Sequence, residues 1–178
     1  MNKQSTIGKS FTLSGKGLHT GLNIKADFLP AEANSGIIFR RVDLEGKPEI
    51  PAIATYVSAT ERGTVLKKGE ASVSTIEHIM SAFMAHGIDN CIIEIDAPEV
   101  PILDGSAKYV VEAISKVGIK ELDAEKSYFE VKEELTFTNG TSTIKLLPAN
   151  DFYAEVTVDF NSPVLKRQSA SISGFADY

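Results

Sequence analysis

Chemistry in this chain would be carried most directly by an adjacent pair, Glu77 and His78. An imidazole can hold a zinc ion, and a neighbouring carboxylate can take the proton from a metal-bound water. The pair lacks the second histidine that gives a His-Glu-x-x-His helix its force. A plainer reading stands beside it. Ser74-Thr75-Ile76-Glu77 has the form of a capping box, in which Glu77 reaches back to the amide at the helix start. His78 is then a surface histidine or a satisfied buried one.

Four further groups have equally ordinary readings. Gly15-Lys16-Gly17-Leu18-His19-Thr20-Gly21 is glycine-rich, but a strand follows it. A phosphate loop requires a helix whose first amides meet the anion, so this segment reads as a tight β-turn with His19 held by local hydrogen bonds. Asp104-Gly105-Ser106 reads as a helix cap with a glycine that permits the bend. Cys91 is the only cysteine, which excludes an intrachain disulfide, and its apolar strand context predicts a packed, inert thiol. His86, beside Gly87 at an expected helix end, is placed as a helix-end group without function.

The elements that must position these residues show in the periodicity. Ile76, Ile79, Met80, Phe83 and Met84 recur at three- and four-residue spacing, which predicts a helix that starts near Ser74 and stops at Gly87. A strand over 91–95, a loop bearing Pro98 and Pro101, and a second helix over roughly 107–117 follow. Upstream, Leu22, Ile24, Ala26 and Phe28 alternate as a strand ended by Pro30, and residues 36–40 read as the strand that returns beside it.

These patterns predict an α+β fold. Residues 1–122 form a first domain with a small β-insertion near 44–72, where Lys68-Gly69 marks a turn. Residues 126–178 begin a second domain: Tyr128, Phe129 and Val131 open a strand, Asn139-Gly140 turns a hairpin, and residues 151–160 supply another strand. The order of elements repeats that of the opening, as does Leu147-Pro148-Ala149 after Leu29-Pro30-Ala31. Two copies of one sheet-and-helix unit are expected, the second truncated because its sheet has no helix to cover it.

With 18 basic and 24 acidic side chains the net charge is -6, which disfavours nucleic acid as a partner. A hydrophobic fraction of 43% fits a folded soluble protein. No stretch approaches the ~20 apolar residues that span a bilayer. The start of the chain does not resemble a secretory signal, so the expected compartment is the cytoplasm.

Taken together, several blocks resemble the UDP-3-O-acyl-N-acetylglucosamine deacetylases of lipid A biosynthesis. They are residues 15–21, Gly36-Ile37-Ile38-Phe39-Arg40-Arg41, Ser74-Thr75-Ile76-Glu77-His78 and Gly87-Ile88-Asp89-Asn90. Pro98-Glu99-Val100-Pro101-Ile102-Leu103-Asp104-Gly105-Ser106-Ala107 is the longest, and Asp159-Phe160-Asn161-Ser162-Pro163 extends the match.

The resemblance implies two α+β domains and a zinc-dependent hydrolase that removes acetate from the nitrogen of a UDP-linked, acylated glucosamine. It implies Zn2+ as cofactor, His78 as one zinc ligand and Glu77 as the general base. It also places Leu18 and Arg62-Gly63-Thr64 near the substrate and its acyl passage, and Phe160 near the nucleotide end. The family's second zinc histidine, its aspartate, its oxyanion threonine and its general-acid histidine have no counterpart here, since no histidine follows His86. This chain is accordingly expected to be an amino-terminal fragment, inactive without the missing carboxy-terminal half. The competing expectation is a non-catalytic binding or assembly module.

Overall fold

A row of apolar side chains across five strands organises the first part of the molecule. The computed structural model describes residues 2–140, 142–160 and 162–174. The chain divides into two units, Met1–Lys126 and Ser127–Tyr178. In unit 1 the strands are β1 (Lys3–Ile7), β2 (Phe11–Lys16), β3 (Asn23–Pro30), β4 (Ile37–Arg41) and β5 (Glu49–Pro51). A short 3-10 turn, Ala54–Tyr56, precedes β6 (Val57–Ala59), β7 (Val65–Lys68) and β8 (Ala71–Ser74). Helix α1 (Glu77–His86), β9 (Cys91–Ile95), α2 (Lys108–Val117) and β10 (Ile119–Glu125) complete it.

The main sheet has the order β2-β3-β9-β4-β5. Its registers align Phe11 with Phe28, Phe28 with Ile93, Ile93 with Phe39, and Phe39 with Ile50. Phe28, Ile93, Phe39 and Ile50 are completely buried. Side chains alternate between sheet faces, so the neighbouring row carries Asp27, Glu94, Arg40 and Glu49 instead. Arg40 ties that row together, bonding Glu94 at 2.8 Å and Glu49 at 2.6 Å.

The apolar face is covered by Ile79, Ala82 and Phe83 of α1 and by Val110 and Ile114 of α2, which belong to the same buried cluster. Phe83 meets Phe28 edge-on at 6.2 Å, and Phe11 stacks on Phe28 at 4.4 Å. Both helices end on glycine. At Gly87 (φ 65°) the amides of Gly87 and Ile88 bond to the carbonyls of Met84 and Phe83, a left-handed stop that a side chain would strain.

Several sequence expectations need correction. Residues 37–41 do not return beside β3: β9 lies between, antiparallel to β3 and parallel to β4. The run Cys91-Ile92-Ile93-Glu94-Ile95 is the most apolar strand available and takes the centre, where both neighbours bury it. Leu22 precedes the strand and is exposed, as is Met84 on the outer side of α1. The expected insertion is divided. β5 joins the edge of the main sheet, and β6-β7-β8 form a separate three-stranded sheet whose β7–β8 turn is at Gly69. A strand absent from the sequence reading, β10, pairs with β1 and carries unit 1 to Lys126 rather than 122.

The described residues of unit 2 form two hairpins. β11 (Leu135–Asn139) pairs with β12 (Ser142–Leu146), and β13 (Tyr153–Val158) pairs with β14 (Gln168–Ser173). Residues 128–131 are not a strand. Phe129 is 85% exposed, and β-like composition alone does not place the segment in a strand. No helix occurs among the described residues of this unit.

Candidate active site

Glu77 opens α1 without acting as its cap. No side-chain cap is present at the helix start. The Glu77 Oε2 atom instead accepts the Thr64 N–H at 2.9 Å. The other three members of the apparent capping box are also committed elsewhere. Ser74 Oγ donates to the Pro98 carbonyl, Thr75 Oγ1 donates to Glu99, and Ile76 is buried in the core. The capping-box expectation is therefore wrong for a tertiary reason: the chain entering β7 places the Thr64 amide against the carboxylate, in place of the helix's own amides.

Glu77 Oε1 faces Gly63. A Cβ placed on Gly63 would lie 3.3 Å from that oxygen, and the φ of 154° is itself one that side chains rarely adopt. Glycine lets the backbone run close beside the carboxylate. His78 is half-buried, and among the described residues its imidazole has no hydrogen-bond partner; its carbonyl accepts from Ser81 Oγ at 2.9 Å. The pair thus presents one carboxylate oxygen held by a backbone amide and, at the next position, an imidazole without a hydrogen bond among the described residues.

The glycine-rich 17–21 loop reaches the same region. The Gly21 N–H donates to the Gly17 carbonyl and the Gly17 N–H to the Leu22 carbonyl, which closes a tight turn between β2 and β3. Leu18 is held out at its tip, 58% exposed. His19 Nε2 donates to the Arg62 carbonyl at 3.2 Å. The expectation that local bonds hold His19 is corrected by its amide, which donates to Glu99, 80 residues away. Arg62, in the left-handed region at φ 61°, is exposed, while Gly63 and Thr64 are half-buried.

Hydrogen bonds join His19 to Arg62 and Thr64 to Glu77 in unit 1, with Leu18 and Gly63 as their neighbours in the chain. Phe160 belongs to unit 2, where it follows β13 and is 58% exposed; Asn161 of the same block lies outside the described residues.

Sequence reasoning passed over Glu99. It is completely buried, has no ion-pair partner among the described residues, and accepts from four donors: the amides of His19 and Thr20 and the hydroxyls of Thr20 and Thr75. Burial alone would raise its pKa, but these bonds outweigh burial and hold the carboxyl below the usual carboxylate range. The signal was a single acid in the otherwise apolar run Ala97-Pro98-Glu99-Val100-Pro101. Cys91 is completely buried in the core, and that burial pushes its thiol up to about 12, as a packed thiol requires. Asp104 accepts the Ser106 amide and hydroxyl, and Ser106 Oγ accepts the Lys108 amide ahead of α2.

Among the described residues no three His, Cys, Asp or Glu side chains come together to hold a metal ion. A catalytic zinc takes three protein ligands with a fourth position open; one imidazole falls short of that set.

These features define an α+β protein that presents a carboxylate–imidazole pair at a helix start, beside a pinned glycine-rich loop. The chain matches the family profile described as UDP-3-O-acyl N-acetylglycosamine deacetylase over residues 4–177, and it belongs to that family. It is 51% identical over 180 residues to the bifunctional enzyme LpxC/FabZ of Porphyromonas gingivalis, covering 100% of this chain and 39% of the relative. It is 43% identical over 169 residues to the UDP-3-O-acyl-N-acetylglucosamine deacetylase of Geobacter sp. strain M21, covering 95% of this chain and 55% of the relative. The chain thus spans about half the length of that deacetylase, and less of the bifunctional relative.

Proposed function

We propose that this chain supplies the amino-terminal part of a zinc-dependent deacetylase that removes acetate from the sugar nitrogen of UDP-3-O-acyl-N-acetylglucosamine in lipid A biosynthesis. The observation that carries the reading is Glu77 held by the Thr64 amide with His78 next to it, inside a family match that runs through both units. In this reading Glu77 takes the proton from the water that attacks the acetamide carbon. The Thr64 amide holds the carboxylate in place for that transfer. His78 contributes one imidazole to the ion, and the remaining ligands come from sequence that the longer relatives possess. Leu18 and the 62–64 segment border the acyl chain, and Phe160 contacts the nucleotide end. The expected compartment is the cytoplasm; among the described residues no helix is long and apolar enough to cross a membrane.

Two measurements test this. With the chain extended by the rest of its parent, Glu77→Gln should lower acetate release by ~10²–10⁴ with zinc content retained, and His78→Ala should lose zinc and activity together. An unchanged rate for Glu77→Gln removes that residue from the mechanism. With the chain by itself, isothermal titration should show only weak zinc binding. Tight one-to-one binding that His78→Ala abolishes would overturn the split ligand set.

A second reading, a non-catalytic binding or assembly module, draws on unit 2, where Phe137, Ile144 and Val156 stand exposed on open hairpins. Supplying the rest of the parent as a separate chain discriminates the two. Restored deacetylation supports the enzyme, and stable association without hydrolysis supports the module.

A further inference from the structure

We infer that Glu99 is a positioning residue for Glu77, acting through two separate hydrogen-bonded routes that meet on the 62–64 segment. This deepens the reading of Glu77 as the water-activating base and rests on it for its functional meaning.

The first route leaves Glu99 through the glycine-rich loop. Its carboxylate accepts the His19 and Thr20 amides, at 3.0 and 2.9 Å, and the Thr20 hydroxyl at 2.8 Å. With its backbone fixed, His19 extends its ring to the Arg62 carbonyl. The loop is fitted to this carboxylate at Gly17, where a Cβ would overlap both Glu99 Oε2 and Thr20 Oγ1. The second route leaves through Thr75, which donates its hydroxyl to Glu99 Oε1 at 3.1 Å and its amide to the Thr64 carbonyl at 3.0 Å. Thr75 is a buried β-branched residue at φ 63°, a conformation such side chains avoid unless their surroundings impose it. The bonds to Glu99 and Thr64 impose it here. Both routes end beside the Thr64 amide, the group that holds Glu77 Oε2.

A carboxylate fits this position because it offers only acceptors. All four neighbours donate, and an amide in its place would turn an N–H toward one of them. Neighbouring backbone bonds fix Glu99 itself: the Ser74 N–H donates to the Pro98 carbonyl and the Val100 N–H donates to the Ser74 carbonyl.

The test is native-state amide hydrogen exchange on this chain, read by NMR without substrate or metal. Glu99→Gln should speed exchange of the His19, Thr20 and Thr64 amides by roughly tenfold or more, while Phe28 and Ile93 in the core keep their protection. A residue that merely supports the fold would move all of these together, and one that only holds its own loop would leave Thr64 unchanged. Either result overturns the inference. His19→Ala alters an exposed side chain and cuts only the first route, so it remains informative should Glu99→Gln not fold. It should speed Thr64 exchange several-fold and leave the Thr20 amide protected; an unchanged Thr64 amide in this variant sinks the proposal. Failure here leaves the deacetylase reading intact, and loss of Glu77's catalytic role would leave these exchange rates as predicted.

Discussion

The two units draw on the same kinds of apolar residue and do opposite things with them. Unit 1 buries Phe28, Phe39 and Phe83 to 1% exposure or less, whereas in unit 2 Phe129, Phe137 and Phe152 are 85%, 59% and 38% exposed. No described residue beyond Ile114 is buried. The difference is not in the strands, since β13 alternates as clearly as β3. It is that α1 and α2 lie across the main sheet, while unit 2 has no helix of its own among the described residues to cover its hairpins. A strand pattern specifies which face is to be buried; a covering element decides whether it is.

The largest effect should come from cutting into the covered face. Phe28→Ala removes a ring that touches both Phe11 and Phe83, and should cost unit 1 ~3–5 kcal/mol in urea unfolding. Val156→Ala in β13, 60% exposed, should change stability by no more than ~0.5 kcal/mol. A loss at Val156 comparable to that at Phe28 would break the comparison, because it would require a core in unit 2.

Protection from exchange should follow the same division. Amides of β3 and β9, with partners on both sides, should exchange at least ~100-fold more slowly than those of β13, which pairs on one side only. Equal rates in the two strands would show that covering helices do not set local stability here.

Acid sharpens the contrast next, because unit 1 contains a buried carboxylate and the described residues of unit 2 contain none. Glu99 has a folded pKa below its unfolded one. Its contribution is therefore complete above the unfolded value, ~4.3, and is lost as the pH falls through the lower folded value. Asp27 and Asp43, held low by hydrogen bonds from Lys25 and Arg41, act with the same sign. The melting temperature of unit 1 should thus fall on acidification below pH ~4.3, and Glu99→Gln should flatten that fall without abolishing it. A profile identical to that of the unaltered chain would show that Glu99 is not held ionised by its four donors.

What the sequence could convey follows from the range of the interactions. The helix stripes, the stop at Gly87 and the β7–β8 turn depend on neighbours within a few positions, and they were legible. The place of β9 between β3 and β4 was not, because strand order is fixed by which strand is apolar enough for the centre, and adjacency in sequence suggested a hairpin. The cap alternative for Glu77 fails for a related reason: the helix-start amides are its near neighbours in sequence, but the Thr64 amide reaches it in space. Glu99 stayed hidden because its donors come from residues 19, 20 and 75, all distant in the chain. The site's roles came from family resemblance, and its geometry came only from the fold.

The smallest effect distinguishes the units at their surfaces. Arg40 bonds Glu94 with side chains 25% and 27% exposed, in a row that also holds Glu49, whereas Lys145 and Glu134 in unit 2 pair at 57% and 53% exposure. Partial shielding and a shared guanidinium strengthen the first pair; solvent and ions screen the second, and ordering two long side chains offsets most of its attraction. Double-mutant cycles should give a coupling of ~1 kcal/mol for Arg40–Glu94 and ~0.3 kcal/mol or less for Lys145–Glu134. Raising the salt concentration should erase the second before the first. Equal couplings would mean that the charged row on the outer face of the main sheet is as solvent-exposed in effect as the open hairpin, and that the covered apolar face alone separates the two units.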